Sequence, residues 1–380
     1  MRILLIITRG EIGGAQISVL NLAKALKNKG YHVTVGLNEE RFLHESLREV
    51  GIPAITFKWL KRTINPLYNI LFLREMMSFL SKNYYDIVHF NSSNALFGAI
   101  GTKLLKFSPK TVFTHHGLSL LDENYKTNLI IKYSYFIIIK FLLKFIDSNV
   151  FVCIKNYDKA INTKLINYGT VIFNGIDNDN LFFYPPEFSR NFIENSINQK
   201  IDNKFVIGSI GRLAYPKNYE FLIRIVPKIL NLRDDIVCVV IGDGPEYEKY
   251  HSYISALNLN KYIFLLGSLE NAYQYIKAFD IFILPSIYEG FSITLIEALS
   301  AGLPILASDV GGNAELLNYS KDQIYRLNDE TDFLNKFERI LSDYELKESI
   351  MKENQKLSLR YNSTNMANNY INLYQHLLKI

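Results

Sequence analysis

Short, almost unbroken apolar runs recur along the chain: 2–8 (RILLIIT), 86–90 (DIVHF), 110–114 (KTVFT), 151–154 (FVCI), 205–210 (FVIGSI), 237–241 (VCVVI), 262–267 (YIFLLG) and 281–285 (IFILP). Continuous apolar runs of this length predict strands buried on both faces, the mark of a parallel sheet. Between them, apolar positions return every three or four residues, which predicts helices. One helix starts near Ala15, one carries Phe221, Leu222, Ile225, Ile229 and Leu230, and one carries Ile293, Leu295, Ile296, Ala298 and Leu299. A last helix spans roughly 363–378, with Met366, Tyr370, Leu373, Tyr374 and Leu377 on one side. Strands alternating with helices throughout argue for an α/β fold of doubly wound sheets with right-handed crossovers.

The apolar periodicity fades between Asp177 and Lys204, around Tyr184-Pro185-Pro186 and a polar run. A chain of 380 residues exceeds the usual single core. The expectation is therefore two domains, 1–177 and 204–362, joined by a linker over 178–203. Both cysteines, Cys153 and Cys238, fall inside apolar strands and read as buried free thiols, which suits a reducing cytosol. The opening apolar run is short, is closed by Arg9 and reads as a first strand rather than a signal peptide. No charge-free apolar segment reaches the roughly 18 residues a spanning helix needs.

Charge is shared unevenly. Residues 1–180 hold 22 Lys and Arg against 13 Asp and Glu, a net of +9, whereas residues 181–380 hold 20 against 24, a net of −4. The overall +5 is modest for the length, and no nucleic-acid motif accompanies it, so nucleic acid is not expected as a partner. Within the basic half, residues 129–146 are nearly all apolar but carry Lys132, Lys140 and Lys144. At about 100° per residue these lysines share one arc with Phe136 and Leu143, which predicts a face suited to an anionic bilayer surface while the opposite face packs on the sheet.

The densest chemistry lies between Tyr288 and Leu316. Glu289 sits in a Gly-containing loop straight after the strand at 281–285, and Glu297 lies in the first turns of the following helix. Open α/β sheets bind ligands at the carboxyl ends of their strands, and helix N-termini there attract anions. A carboxylate beside an anion site suits a nucleotide sugar, whose diphosphate seeks amides and cations while its hydroxyls seek acceptors. Further strand ends carry loops of the same kind. GRLAYPKN at 211–218 offers Arg212 and Lys217; GDGP at 242–245 is a turn with Pro at a helix start; Gly267 closes another strand. In the first half, RGEIGGAQ at 9–16 bears Gly13 and Gly14 without the G-x-G-x-x-G fingerprint, which argues against a nicotinamide or flavin enzyme. His115 and His116 precede Gly117 at a strand end, and His89 and Asn91 end another, with a structural role the stronger reading for the latter two.

Together these segments resemble the retaining glycosyltransferases of family 4: two glutamates separated by seven residues, a turn with Gly302 and Pro304, a second loop with Gly311 and Gly312, and the loops at 211–218 and 242–245. The resemblance covers nearly the whole chain. It implies the GT-B fold, two Rossmann-like doubly wound domains facing a central cleft, with the last helix crossing back to the first domain. It further implies a donor diphosphate held by Gly13, Gly14, Arg212 and Lys217, and a nucleoside and sugar held by Asp243, Gly267, Gly290, Phe291, Ser292 and Glu297. His116 and Glu289 are the implied catalytic pair, His116 contacting the transferred sugar and Glu289 holding its hydroxyls or stabilising developing positive charge. No role is carried for Gln16, where relatives often have a charged residue.

The expected reaction moves a hexose-type unit from a nucleoside diphosphate sugar, a co-substrate rather than a cofactor, to a hydroxyl acceptor. Membrane contact would suggest a lipid-linked acceptor in bacterial surface-polysaccharide assembly, with the protein cytoplasmic and peripheral on the inner face of the membrane. No metal is expected: Asp177, Asn178 and Asp179 spell a D-x-D pattern, but turn chemistry explains them equally well. Two other readings stay open on the sequence, a nucleotide-sugar epimerase of the same fold and a non-catalytic sugar-nucleotide-binding subunit.

Overall fold

Seven parallel strands form the first sheet: β1 (Arg2–Ile6), β2 (His32–Leu37), β3 (Ala54–Thr56), β4 (Ile87–Phe90), β5 (Lys110–His115), β6 (Ser148–Phe151) and β7 (Thr170–Val171). Their order is β3-β2-β1-β4-β5-β6-β7. Chain direction across the sheet reverses between β1 and β4, so the loops leaving these two strands splay apart at a topological switch point. The computed structural model describes residues 1–39, 41–63 and 65–380. It divides into two units, Met1–Asp177 with Tyr361–Ile380, and Asn178–Arg360.

The second unit repeats the plan with six parallel strands, β8 (Phe205–Ile210), β9 (Ile236–Ile241), β10 (Ile263–Leu265), β11 (Ile281–Leu284), β12 (Ile305–Ser308) and β13 (Ile324–Tyr325), in the order β10-β9-β8-β11-β12-β13. Its switch point lies between β8 and β11. Every residue of β8, β9, β11 and β12 is buried, as their unbroken apolar character requires. Cys153 and Cys238 are buried free thiols, and burial pushes the Cys238 thiol up to about 12.

The last helix, Ser363–Leu378, belongs to the first unit. Its Met366, Ala367, Tyr370, Ile371 and Tyr374 join Ile3, Leu5, Val19 and Leu22 in one buried cluster. Two polar links fix its rotation: Tyr374 Oη lies 2.7 Å from His89 Nδ1, and Tyr370 Oη lies 2.8 Å from Thr114 Oγ1.

Two sequence expectations need correction. The segment 178–203 is not a linker but part of the second unit, and it contains the helix Pro186–Ile197. Its apolar residues are mainly aromatic and too sparse for a clear period: Phe192 stacks on Tyr275 at 4.1 Å, Tyr184 tilts against the same ring at 4.9 Å, and Arg190 donates to Asp280 at 2.7 Å. The helix Leu129–Leu142 also presents a different face from the one expected. Ile139, Leu142 and Leu143 are buried, Phe136 packs against that core, and Lys132 donates to the Asp122 carbonyl oxygen at 2.8 Å. The exposed arc is instead the isoleucine-rich one, because Ile139, Leu142 and Leu143 join the core beside Phe113 and Phe151 and leave the rest uncovered.

Candidate active site

In the second unit the loops leaving five neighbouring strands lock together at the carboxyl edge of the sheet. Leu213 N donates to Asp243 O at 3.0 Å, Gly242 N to Gly267 O at 2.8 Å, Ile287 N to Pro216 O at 2.9 Å and Gly312 N to Gly290 O at 2.8 Å. Close backbone approach explains the glycines. A Cβ on Gly242, whose φ is +151°, would lie 2.0 Å from Gly211 O; one on Gly311, at φ +49°, would lie 1.8 Å from Glu289 O. The loops at 211–218, 242–245, 267, 285–292 and 310–312 thus form one surface.

At the switch point of this surface, Lys217 Nζ donates to Glu289 Oε1 at 2.7 Å, and Ser286 Oγ donates to the same oxygen at 2.6 Å. Both members of the ion pair are mostly buried, with side chains 22% and 11% exposed, so the interaction is little screened by solvent. Glu289 Oε1 takes both donors, leaving Oε2 without a hydrogen bond among the described residues. Asn218, at φ +55°, turns the chain after Lys217 and anchors it by donating from Nδ2 to Pro285 O at 2.9 Å. Ser286 and Asn218 are the residues that sequence reasoning missed here. Asn directly after the cation, in a loop entering a helix, was the legible signal for a left-handed turn.

Glu297 lies on the helix Ile293–Ser300, whose first turn is capped by Ser292 Oγ accepting from Leu295 N at 3.4 Å. The Glu297 carboxyl is mostly buried, has no hydrogen-bonding partner among the described residues, and is pushed up to about 8 by burial. Arg212 is exposed and forms no ion pair among the described residues. Asp243 is exposed, and its carboxylate accepts from Gly244 N at 2.6 Å, serving its own turn. Phe291 is buried, so at that position the backbone rather than the ring faces the loop surface.

The first unit gathers its candidates at the carboxyl ends of β1, β4 and β5. Gly13 caps the helix Gly14–Asn28, which has no side-chain cap and no acid in its first turn. Gln16 braces the loop by donating from Nε2 to Arg9 O at 3.2 Å, and Glu11 joins Arg9 and Arg41 at 2.8 and 2.6 Å. The three histidines separate clearly. His89 is buried with both ring nitrogens engaged, by Tyr374 and by Thr114, and is structural. His115 stacks on Phe151 at 4.2 Å and reaches Asn149 Oδ1 at 3.2 Å, a core residue as well. Burial lowers both to about 3.

His116 differs. Its Nε2 is 3.2 Å from Asn91 Oδ1, and Asn91 Nδ2 donates to His89 O at 3.1 Å. The carbonyl fixes the orientation of the amide, so Asn91 Oδ1 must accept and the His116 proton sits on Nε2. The Nδ1 lone pair is buried without a partner among the described residues, and burial lowers His116 to about 4. Its imidazole is neutral across the physiological range.

The family described as "Glycosyltransferase Family 4" matches residues 12–180, and that described as "Glycosyl transferases group 1" matches residues 191–357. The UDP-Gal:alpha-D-GlcNAc-diphosphoundecaprenol alpha-1,3-galactosyltransferase of Escherichia coli is 28% identical, covering 90% of this chain and 88% of its own. The N,N'-diacetylbacillosaminyl-diphospho-undecaprenol alpha-1,3-N-acetylgalactosaminyltransferase of Campylobacter jejuni is 23% identical over 94% of each chain. Among solved structures, Anabaena HepE in complex with UDP and glucose superposes with a TM-score of 0.83 at 20% identity, covering 98% of this chain and 99% of that one. Sucrose-phosphate synthase from Thermosynechococcus elongatus superposes at 0.82 and 20% identity, covering 100% of this chain and 99% of that one. Two Rossmann-like units, each matched in turn by one of the two family descriptions, establish that this chain is a glycosyltransferase of family 4 with the GT-B fold.

Proposed function

We propose that the protein is a retaining hexosyltransferase that takes a sugar from a nucleoside diphosphate donor and delivers it to a hydroxyl on a lipid-linked precursor of a surface polysaccharide. The work would be done on the inner face of the cytoplasmic membrane. The acceptor class is supported by the E. coli and C. jejuni relatives, both named for undecaprenol diphosphate substrates. The observation that carries the donor assignment is the 2.7 Å pair of Lys217 and Glu289 at the switch point of the second sheet. It sets a cation for a diphosphate beside an acceptor for sugar hydroxyls.

In this reading Arg212 and Lys217 neutralise the charge that grows on the nucleoside diphosphate as the glycosidic bond breaks. Glu289 Oε2 accepts from a donor-sugar hydroxyl, and Ser286 holds the carboxylate in place. Glu297, proton-bearing near neutral pH, can both donate to and accept from the ribose diol. Gly267, Gly290, Ser292 and the Asp243 turn shape the nucleoside and sugar subsites through their backbones. His116 contacts the transferred sugar as a neutral imidazole. The acceptor hydroxyl attacks from the face the diphosphate leaves, and a departing phosphate oxygen takes its proton. No step calls on a metal.

Thermal unfolding with a panel of nucleoside diphosphates and their sugars tests the donor assignment, because a ligand that prefers the folded state raises Tm with concentration. One nucleotide should stabilise the protein, and Lys217→Ala should abolish that response. A Lys217→Ala variant that responds as the parent does would overturn the diphosphate site.

A further inference from the structure

The helix Leu129–Leu142 leaves an apolar face bare. Ile130, Tyr133, Ile137, Ile138 and Phe141 are 47% to 75% exposed on a single helix, whereas apolar side chains on a soluble surface are normally scattered. The buried face is fully accounted for by Ile139 and Leu142, with Tyr135 and Phe136 alongside. Lys140 and Lys144 are exposed at the border of the bare arc, and residues 129–146 contain no acid. Lys140 leans over Phe136 with its ammonium 5.5 Å from the ring centroid, keeping the charge at the edge of the apolar strip.

We infer that this face, carried by Ile130, Ile137, Ile138 and Phe141 with Lys140 and Lys144 at its edge, is a docking surface for an anionic lipid bilayer. The inference deepens the reading of a lipid-linked acceptor and rests on it for the choice of partner. Length decides the mode of binding. Fourteen residues span about 21 Å of helix, short of the roughly 30 Å of a hydrocarbon core, and no helix of the described residues is long and apolar enough to cross a membrane. Such a helix lies in the plane of the interface, its apolar side chains below the headgroups and its lysines among the lipid phosphates. Charge argues against a second copy of the chain as occupant, since a two-fold contact through this face would bring the lysines of both copies together. The net +9 of residues 1–180 favours an anionic surface over a neutral one.

The surface also connects to the candidate site within the same unit. Tyr135 Oη, on the inner side of the helix, is 3.0 Å from Ser93 Oγ in the loop after β4. That loop begins with Asn91, the partner of His116. A bilayer holding this helix would hold the loop as well.

Flotation of the full chain with phosphatidylglycerol vesicles, against phosphatidylcholine vesicles, tests the inference at low and high salt. The protein should float with the anionic vesicles and be released by salt. Lys140→Glu with Lys144→Glu should weaken partitioning by more than ten-fold, each lost lysine accounting for about five-fold. Ile137→Ser with Phe141→Ser should abolish the part of the binding that survives salt. Both variants should keep the parent's thermal response to its nucleoside diphosphate, which shows that they fold and separates this inference from the donor assignment. Absence of flotation at low salt overturns the docking surface, as does binding that both variants retain. A parent dimer that Ile137→Ser with Phe141→Ser converts to a monomer, seen by light scattering, would make the face an interface between copies and overturn it equally.

Discussion

Glu297 shows how one side chain can be marked by its desolvation more than by its contacts. Burial raises its carboxyl to about 8, above the ordinary carboxylate value, so the folded protein holds this proton more tightly than the unfolded chain does. As pH rises from about 4.5, the unfolded chain ionises first and stability falls; the loss levels off near pH 8, where the folded form ionises too. Glu297→Gln should therefore stabilise the protein by about 1–2 kcal/mol at pH 8 and by less at pH 5, as measured by chemical denaturation. The same variant should keep nucleotide binding, because an amide offers both a donor and an acceptor as a protonated carboxyl does, whereas Glu297→Leu should weaken it. An equal effect on stability at both pH values would show that the carboxyl is solvated. Lys217 and Glu289 make the complementary case. Their placement in strand-end loops could be read from the sequence, but that Ser286 holds the same carboxylate oxygen depended on how β11 meets its loop.

At the scale of elements, the last helix matters most to the first unit. Tyr374 and Tyr370 reach His89 and Thr114 beneath the sheet edge that carries His116, and Met366 and Ile371 cover the core around Leu5 and Val19. Ending the chain at Arg360 should leave that core open and His89 Nδ1 without a partner. Trypsin should then digest 1–177 rapidly; a truncated chain as resistant as the parent would show the helix to be dispensable. Apolar periodicity was sufficient to predict this helix. It was insufficient for Pro186–Ile197, which is held by stacked aromatic rings and the Arg190–Asp280 pair rather than by an aliphatic stripe. It also could not choose between the two faces of Leu129–Leu142, because both are apolar.

For the molecule as a whole, the two units should respond to pH in opposite senses. His89, His115 and His116 are all lowered, to about 3, 3 and 4, so each is neutral in the fold and charges on unfolding once pH drops below about 6.5. The unfolded chain then binds more protons, and stability rises with pH across this window and is lost as pH falls toward 4. Each histidine should contribute on the order of 1–2 kcal/mol of that loss between pH 7 and 5. Calorimetry should show a first-unit transition whose Tm drops steeply over this range, with uptake of about three protons on unfolding; a Tm that stays level would mean that the imidazoles reach water.

The sequence by itself determined the two parallel-sheet units, the strand ends that carry chemistry, and the family, because buried strands, helix periods and glycine turns are local properties of the chain. Only the tertiary structure decided which polar groups meet. It separated His116 from two core histidines, set its proton on Nε2 through Asn91, joined Lys217 and Ser286 to one oxygen of Glu289, and turned Ile130, Ile137 and Ile138 of Leu129–Leu142 outward. Each of these rests on residues distant in sequence competing for the same space and the same hydrogen-bonding partners, and that competition is resolved only when the sheets are assembled.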